Sequence, residues 1–109
     1  MNSLGPIHAI TAFLPLLRVS DKKTIVVIGS GAGDLKTIRG FGSGHTVAYG
    51  MSKAAATIAT TKFALKLKDE GFIAVTLDPG AVDTSGTAAA GSELAVIVQW
   101  AVEVLCADR

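Results

Sequence analysis

Tyr49 and Lys53 stand four residues apart in the stretch Tyr49-Gly50-Met51-Ser52-Lys53. On a helix that spacing places both side chains on one face, their Cβ atoms about 5–6 Å apart. A free phenol, with a pKa of about 10, is a poor base at neutral pH. A neighbouring ammonium favours the phenolate and makes it a better one. Such a pair suits general acid–base chemistry, giving a proton to, or taking one from, the oxygen of an alcohol or carbonyl compound. Alone, Tyr-x-x-x-Lys is common, and two solvated residues of an ordinary helix are then the favoured reading.

An acid–base pair works only where something holds it. Leu4, Ile7, Ile10, Phe13 and Leu14 recur at helical spacing, with Ser3 as an N-cap and Pro6 near the first turn, so residues 3–17 are predicted to be a helix that Pro15 bends or ends. Arg18–Lys23 is a polar connection. The β-branched run Thr24–Ile28 predicts a strand buried on both faces of a parallel sheet. Six glycines between Gly29 and Gly44 predict a loop. A long helix is expected from Ala48 to about Lys68, with Ala54, Ala55, Ala56 and Ala59 for close packing, Ile58, Phe63, Leu65 and Leu67 for the core, and Gly71 closing it. Phe72–Leu77 reads as a second buried strand, stopped by Asp78-Pro79-Gly80. Thr84–Gly91 reads as a small-residue flexible stretch, and Ser92-Glu93 opens a last helix to about Cys106. The order helix–strand–helix–strand–helix implies an α/β fold.

Composition narrows the classes. The chain of 109 residues allows one small domain; half of it is hydrophobic and only 6% aromatic, so the core is aliphatic. The net charge of +1 is spread along the chain with no basic stripe, which argues against nucleic acid and anionic lipid. One cysteine, Cys106, excludes an internal disulfide and reads as a small buried hydrophobe. Ile7–Leu17 falls well short of the ~20 residues needed to cross a bilayer, and no signal peptide is visible, so a cytoplasmic location is expected. His8 and His45 lack metal-ligand spacing, and no metal is expected, although His45 stands close enough to Tyr49 to line a pocket there.

Four segments, in order, resemble the short-chain dehydrogenase/reductase family, and the resemblance covers nearly the whole chain. Asn2-Ser3-Leu4-Gly5-Pro6, with the helix ending in FLPLL, is similar to the family's helix bearing a catalytic asparagine. TIVVI followed by Gly29-Ser30 is similar to the strand that delivers its catalytic serine. YGMSKAA looks like its Tyr–Lys motif. FIAVTL followed by Asp78-Pro79-Gly80-Ala81-Val82-Asp83-Thr84 is similar to its Pro-Gly-x-Val-x-Thr segment. The resemblance implies Tyr49 as acid, Lys53 as its partner, Ser30 as binder of the substrate oxygen, and Asn2 holding a water in a proton relay with Lys53. It implies NAD(P), with NADP a candidate, held at its nicotinamide end by Tyr49, Lys53, Pro79, Gly80, Val82 and Thr84.

The departures shape the expected fold. Ser30 and Tyr49 lie 19 residues apart, longer than the usual family spacing, so Asp34–Val47 reads as an insertion. No glycine-rich cofactor fingerprint precedes Asn2. The stretch Gly29-Ser30-Gly31-Ala32-Gly33 only imitates one, because its third glycine position falls on Asp34 and no helix is expected after it. The expectation is a partial doubly wound, Rossmann-like parallel sheet of two to three strands with three helices, lacking the nucleotide-binding half and the last strand. Cofactor binding by this chain alone is then expected to be weak or absent.

Three functions follow. The first is NAD(P)-dependent reduction or oxidation of a small carbonyl or alcohol compound, with the nucleotide half supplied from elsewhere. The second is cofactor-independent acid–base chemistry on a carbonyl compound: isomerisation, dehydration or cyclisation. The third is a non-catalytic dimerisation module. Two strands rarely suffice for stability, and flat apolar edges invite partners, so a homo-oligomer, such as a dimer through the helices at 3–17 and 48–68, or a complementing chain is expected.

Overall fold

The computed structural model describes residues 1–42 and 44–80. They form α1 (Leu4–Arg18), β1 (Thr24–Ile28), a 3-10 turn (Gly31–Gly33), α2 (Leu35–Phe41), α3 (Val47–Leu67), a second 3-10 turn (Lys68–Glu70) and β2 (Ile73–Leu77). The helix expected from Ser92 lies outside the described residues, as do Val82 and Thr84.

β1 and β2 pair in parallel, in register from Thr24 opposite Ile73 to Ile28 opposite Leu77. The chain crosses between them through α2 and α3, a β–α–β crossover that makes the described residues a partial Rossmann-like α/β unit. Ile10 of α1, Ile25 of β1, Leu67 of α3 and Phe72 form the buried core, with Leu14, Leu17, Val27, Phe63 and Ala74 packed around it. Both long helices therefore press on the sheet face that carries Ile25, Val27 and Ala74. Alternate residues point to the opposite face, and there Val26 and Ile28 are each 52% exposed. The expectation of strands buried on both faces is thus not met within the described residues, since helices cover one face of this pair.

α1 runs three residues past Pro15, to Arg18. Proline removes one backbone donor, but packing of Leu14 and Leu17 against the core carries the helix through it. The expected glycine-rich loop is corrected more sharply, because it contains α2. The Asp34 carboxylate accepts from Thr37 N and from Thr37 Oγ1, both at 2.8 Å, and so caps that helix. Gly42 ends it in the left-handed region, φ 62°, its N–H donating to Ile38 O. The glycines that suggested a loop serve here as turn and cap.

Polar contacts tie the opposite end of the sheet. Arg18 meets Glu70 through two hydrogen bonds, Nε to Oε2 at 2.8 Å and Nη2 to Oε1 at 3.0 Å. Lys23 Nζ donates to the Glu70 carbonyl at 3.0 Å and lies 5.6 Å from the Phe72 ring centre. The Arg18 hydrogen bond, more than the charges around it, holds the Glu70 carboxyl below the usual carboxylate range. The Thr37 backbone N–H does the same for Asp34, helped by the Thr37 hydroxyl. A carboxyl depressed in the folded state contributes stability above its unfolded pKa and loses it as pH falls through the folded value. The unfolding midpoint is therefore expected to fall as pH drops through about 4 and below. Thermal melts of Glu70→Gln and Asp34→Asn should each show a flatter acid limb than the parent chain.

Candidate functional site

Lys53, in the second turn of α3, donates from Nζ to the carbonyl of Ile28 at 3.0 Å. That carbonyl is the last of β1, so the ammonium ties α3 to the C-terminal end of the sheet. The same Nζ lies 5.7 Å from the centre of the Tyr49 ring, and Tyr49 is 44% exposed. Two residues beyond Ile28, Ser30 is extended, and its Oγ accepts from Ala32 N at 3.2 Å. With a lone pair occupied in this way, the hydroxyl proton remains available for an incoming oxygen.

Steric clearance lets these groups meet. A Cβ on Gly50 would stand 2.6 Å from the Ala32 carbonyl oxygen. A Cβ on Gly33 would stand 2.6 Å from Ala54 N and 2.8 Å from the Lys53 carbonyl carbon. The 3-10 turn thus lies directly on the α3 backbone, and only hydrogen fits between them. Gly29 closes the strand ends: its N–H donates to Leu77 O at 2.7 Å, and a Cβ there would strike Thr76 Cγ2.

The segment after β2 lies alongside. Asp78 Oδ1 accepts from Gly80 N at 2.9 Å, a bond local to the turn after β2. A Cβ on Gly31 would stand 3.1 Å from Asp78 Oδ2, so the Ser30-Gly31 turn and Asp78-Pro79-Gly80 are neighbours. These groups stand beyond the carboxyl ends of the two parallel strands, the end at which α/β proteins bind ligands.

Asn2 arrives from α1. Its Nδ2 stands 3.5 Å from Ser52 Oγ, and Ser52 Oγ donates to the Tyr49 carbonyl at 2.7 Å. Asn2 therefore meets the residue before Lys53. The structure brings Ser30, Tyr49, Lys53, Asn2, Pro79 and Gly80 to one end of the sheet. His45 lines a cavity of about 360 Å³ between α2 and α3, shared with Ala32 and Gly33 of the 3-10 turn and with Gly50 and Met51, next to Tyr49 in sequence. Ser52, Gly33 and Gly50 were missed as site-building residues; the one available signal was that Gly50 and Ser52 sit inside the Tyr–Lys motif. Among the described residues no three metal-ligating side chains gather, and no helix is long and apolar enough to cross a membrane.

Of the groups at this end, the Tyr49 hydroxyl and the Lys53 ammonium are polar groups of the kind that the ribose of a nicotinamide cofactor would need. A pyrophosphate does not fit the glycine turn, because Gly33 is spent on α3 packing and the Asp34 carboxylate already occupies the start of α2.

The short chain dehydrogenase family profile matches residues 1–95. The chain is 44% identical over 87 residues to a short-chain dehydrogenase/reductase of an Arthrinium species, atnB, covering 80% of this chain and 33% of that protein. It is 39% identical over 82 residues to the short-chain dehydrogenase/reductase iacC of Pestalotiopsis fici, covering 75% and 30%. An uncharacterized oxidoreductase of Schizosaccharomyces pombe is 43% identical over 83 residues, covering 76% and 32%. The chain thus spans about a third of the length of these relatives. In fold it is similar to the carbonyl reductase Sniffer of D. melanogaster, with a TM-score of 0.68 at 24% identity, covering 94% of this chain and 45% of that one.

Gly33→Ala and Gly50→Ala are each expected to destabilise the chain by about 1–3 kcal/mol through overpacking. Gly40→Ala, with nothing within 4 Å of its Cβ position, is expected to stabilise by roughly 0.5–1 kcal/mol, the usual gain inside a helix. Urea unfolding of the three variants checks the contrast.

Proposed function

The chain belongs to the short chain dehydrogenase family, and on that premise we propose that it carries the acid–base centre of an NAD(P)-dependent oxidoreductase acting on a small carbonyl or alcohol compound. The observation that supports this reading is the Lys53–Ile28 hydrogen bond at 3.0 Å, which ties the Tyr49–Lys53 turn to the strand end that Gly29 and Ser30 follow. Ser30 donates its free hydroxyl proton to the substrate oxygen and orients it toward Tyr49. Tyr49 gives its phenolic proton to that oxygen in reduction and takes one back in oxidation. Lys53 places a positive charge beside the phenol, and Asn2, whose side chain meets Ser52, is assigned to hold a water that passes protons on toward Lys53. Pro79 and Gly80 wall the nicotinamide side, with Val82 and Thr84 following. When bound, the nicotinamide supplies or accepts the hydride.

The glycine turn is no cradle for a pyrophosphate, and on the reading that a glycine-rich half must supply one, the chain by itself is expected to bind NADPH more weakly than micromolar in calorimetry. Supplying the glycine-rich half of a relative as a second polypeptide should restore carbonyl-dependent NADPH oxidation. Tyr49→Phe and Lys53→Ala should each abolish it. A complemented assembly that is inactive, or one in which Tyr49→Phe turns over normally, would sink the reading.

A second copy of the chain is the proposed partner for the outer face of the long helices. Met51, Ile58 and Leu65 are exposed at intervals of seven along α3, a spacing that is self-complementary between two such helices. Beside them Ile7, Ala55, Ala59 and Phe63 floor a groove rimmed by Lys62 and Lys66. Light scattering after size exclusion should give twice the chain mass, and Ile58→Glu combined with Leu65→Glu should give a monomer.

A further inference from the structure

Ser52 has no part in the chemistry above, yet it touches two residues that do. We propose that Ser52 is a positioning residue, whose hydroxyl links Asn2 at the head of α1 to the turn of α3 that holds Tyr49 and Lys53. This inference rests on the acid–base reading of that turn.

A serine bonding back to a carbonyl three residues earlier is a common helical habit and by itself means little. The Asn2 side chain makes the difference. Having given its proton to the Tyr49 carbonyl at 2.7 Å, Ser52 Oγ is left with lone pairs only, and the Asn2 amide stands 3.5 Å away with protons to give. The two residues are 50 apart in the chain.

The other supports of this turn leave a gap for such a link. Gly33 and Gly50 seat α3 against the 3-10 turn, and Lys53 seats it against the end of β1. Neither reaches α1. Ser52 supplies the contact on that side, next in sequence to Lys53, where Asn2 must stand to serve a proton path.

Tyr49 is the only tyrosine in the chain, so labelling tyrosine with 13C at the carbonyl gives one resonance that reads the Ser52 bond directly. Ser52→Ala is expected to shift it, Ser52→Thr to leave it near the parent position, and Asn2→Ala to shift it in the same direction as Ser52→Ala. The Asn2→Ala/Ser52→Ala double variant should move it no further than Ser52→Ala alone. An Asn2→Ala spectrum that overlays the parent overturns the link. In the complemented assembly, Ser52→Ala should lower kcat about tenfold to a hundredfold, the scale of a small misplacement of reacting groups, with KM unchanged and Ser52→Thr restoring the rate. An active assembly whose kcat ignores Ser52→Ala overturns the positioning role. If the assembly turns nothing over, the proposed reaction is what has failed, and the carbonyl resonance still decides whether Ser52 joins Asn2 to α3.

Discussion

Contact between the Gly31–Gly33 turn and the backbone of α3 governs everything at the chemical end of this molecule. A turn and a helix cannot normally approach so closely, because a side chain from one or the other intervenes. Here hydrogen stands at both facing positions, Gly33 and Gly50. The gain is reach. With α3 drawn in against the end of β1, a lysine side chain spans from the helix to the Ile28 carbonyl. Moved out by the width of a methyl group, the helix would lose its seat on the turn, and the bond from Lys53 to the Ile28 carbonyl would be stretched.

The far end of the sheet has a complementary task. Arg18, Lys23 and Glu70 gather α1, the start of β1 and the approach to β2, and Ile73 N donates to the Lys23 carbonyl at 2.9 Å. The two strands are of equal length and start level, so they also finish level, with Ile28 beside Leu77. Ser30 and Asp78 consequently leave the sheet side by side. Pairing at one end sets which residues stand together at the other, and a slip of one residue would turn every side chain of a strand to the wrong face.

What could be read from the sequence follows how local each cause is. Thr24–Ile28 was legible to the residue, because a run of β-branched side chains needs no partner to announce a strand. The Tyr49–Lys53 face was legible from helical spacing, and the family from four segments in order. α2 was not, since glycine content outweighed one capping aspartate, although Asp34 and Thr37 stood at capping distance throughout. One-sided burial of the strands was missed because β-branched runs do not reveal which faces find cover. Ser52 was invisible as a linker, because its meaning depends on Asn2 at the other end of the chain. His45 was placed near Tyr49 by closeness in sequence alone, and the cavity it lines reaches Gly50, the residue after Tyr49.

The glycine contact has a consequence for descent. Gly33 and Gly50 are fixed points on either side of residues 34–46, and each is pinned by backbone atoms rather than by side chains that might be exchanged. Neither contact uses an atom of residues 34–46, so neither depends on what that stretch contains. A sequence change there leaves the seat of the Tyr49–Lys53 turn as it is. Variation has room in that stretch and little at the two glycines, where a Cβ would strike backbone.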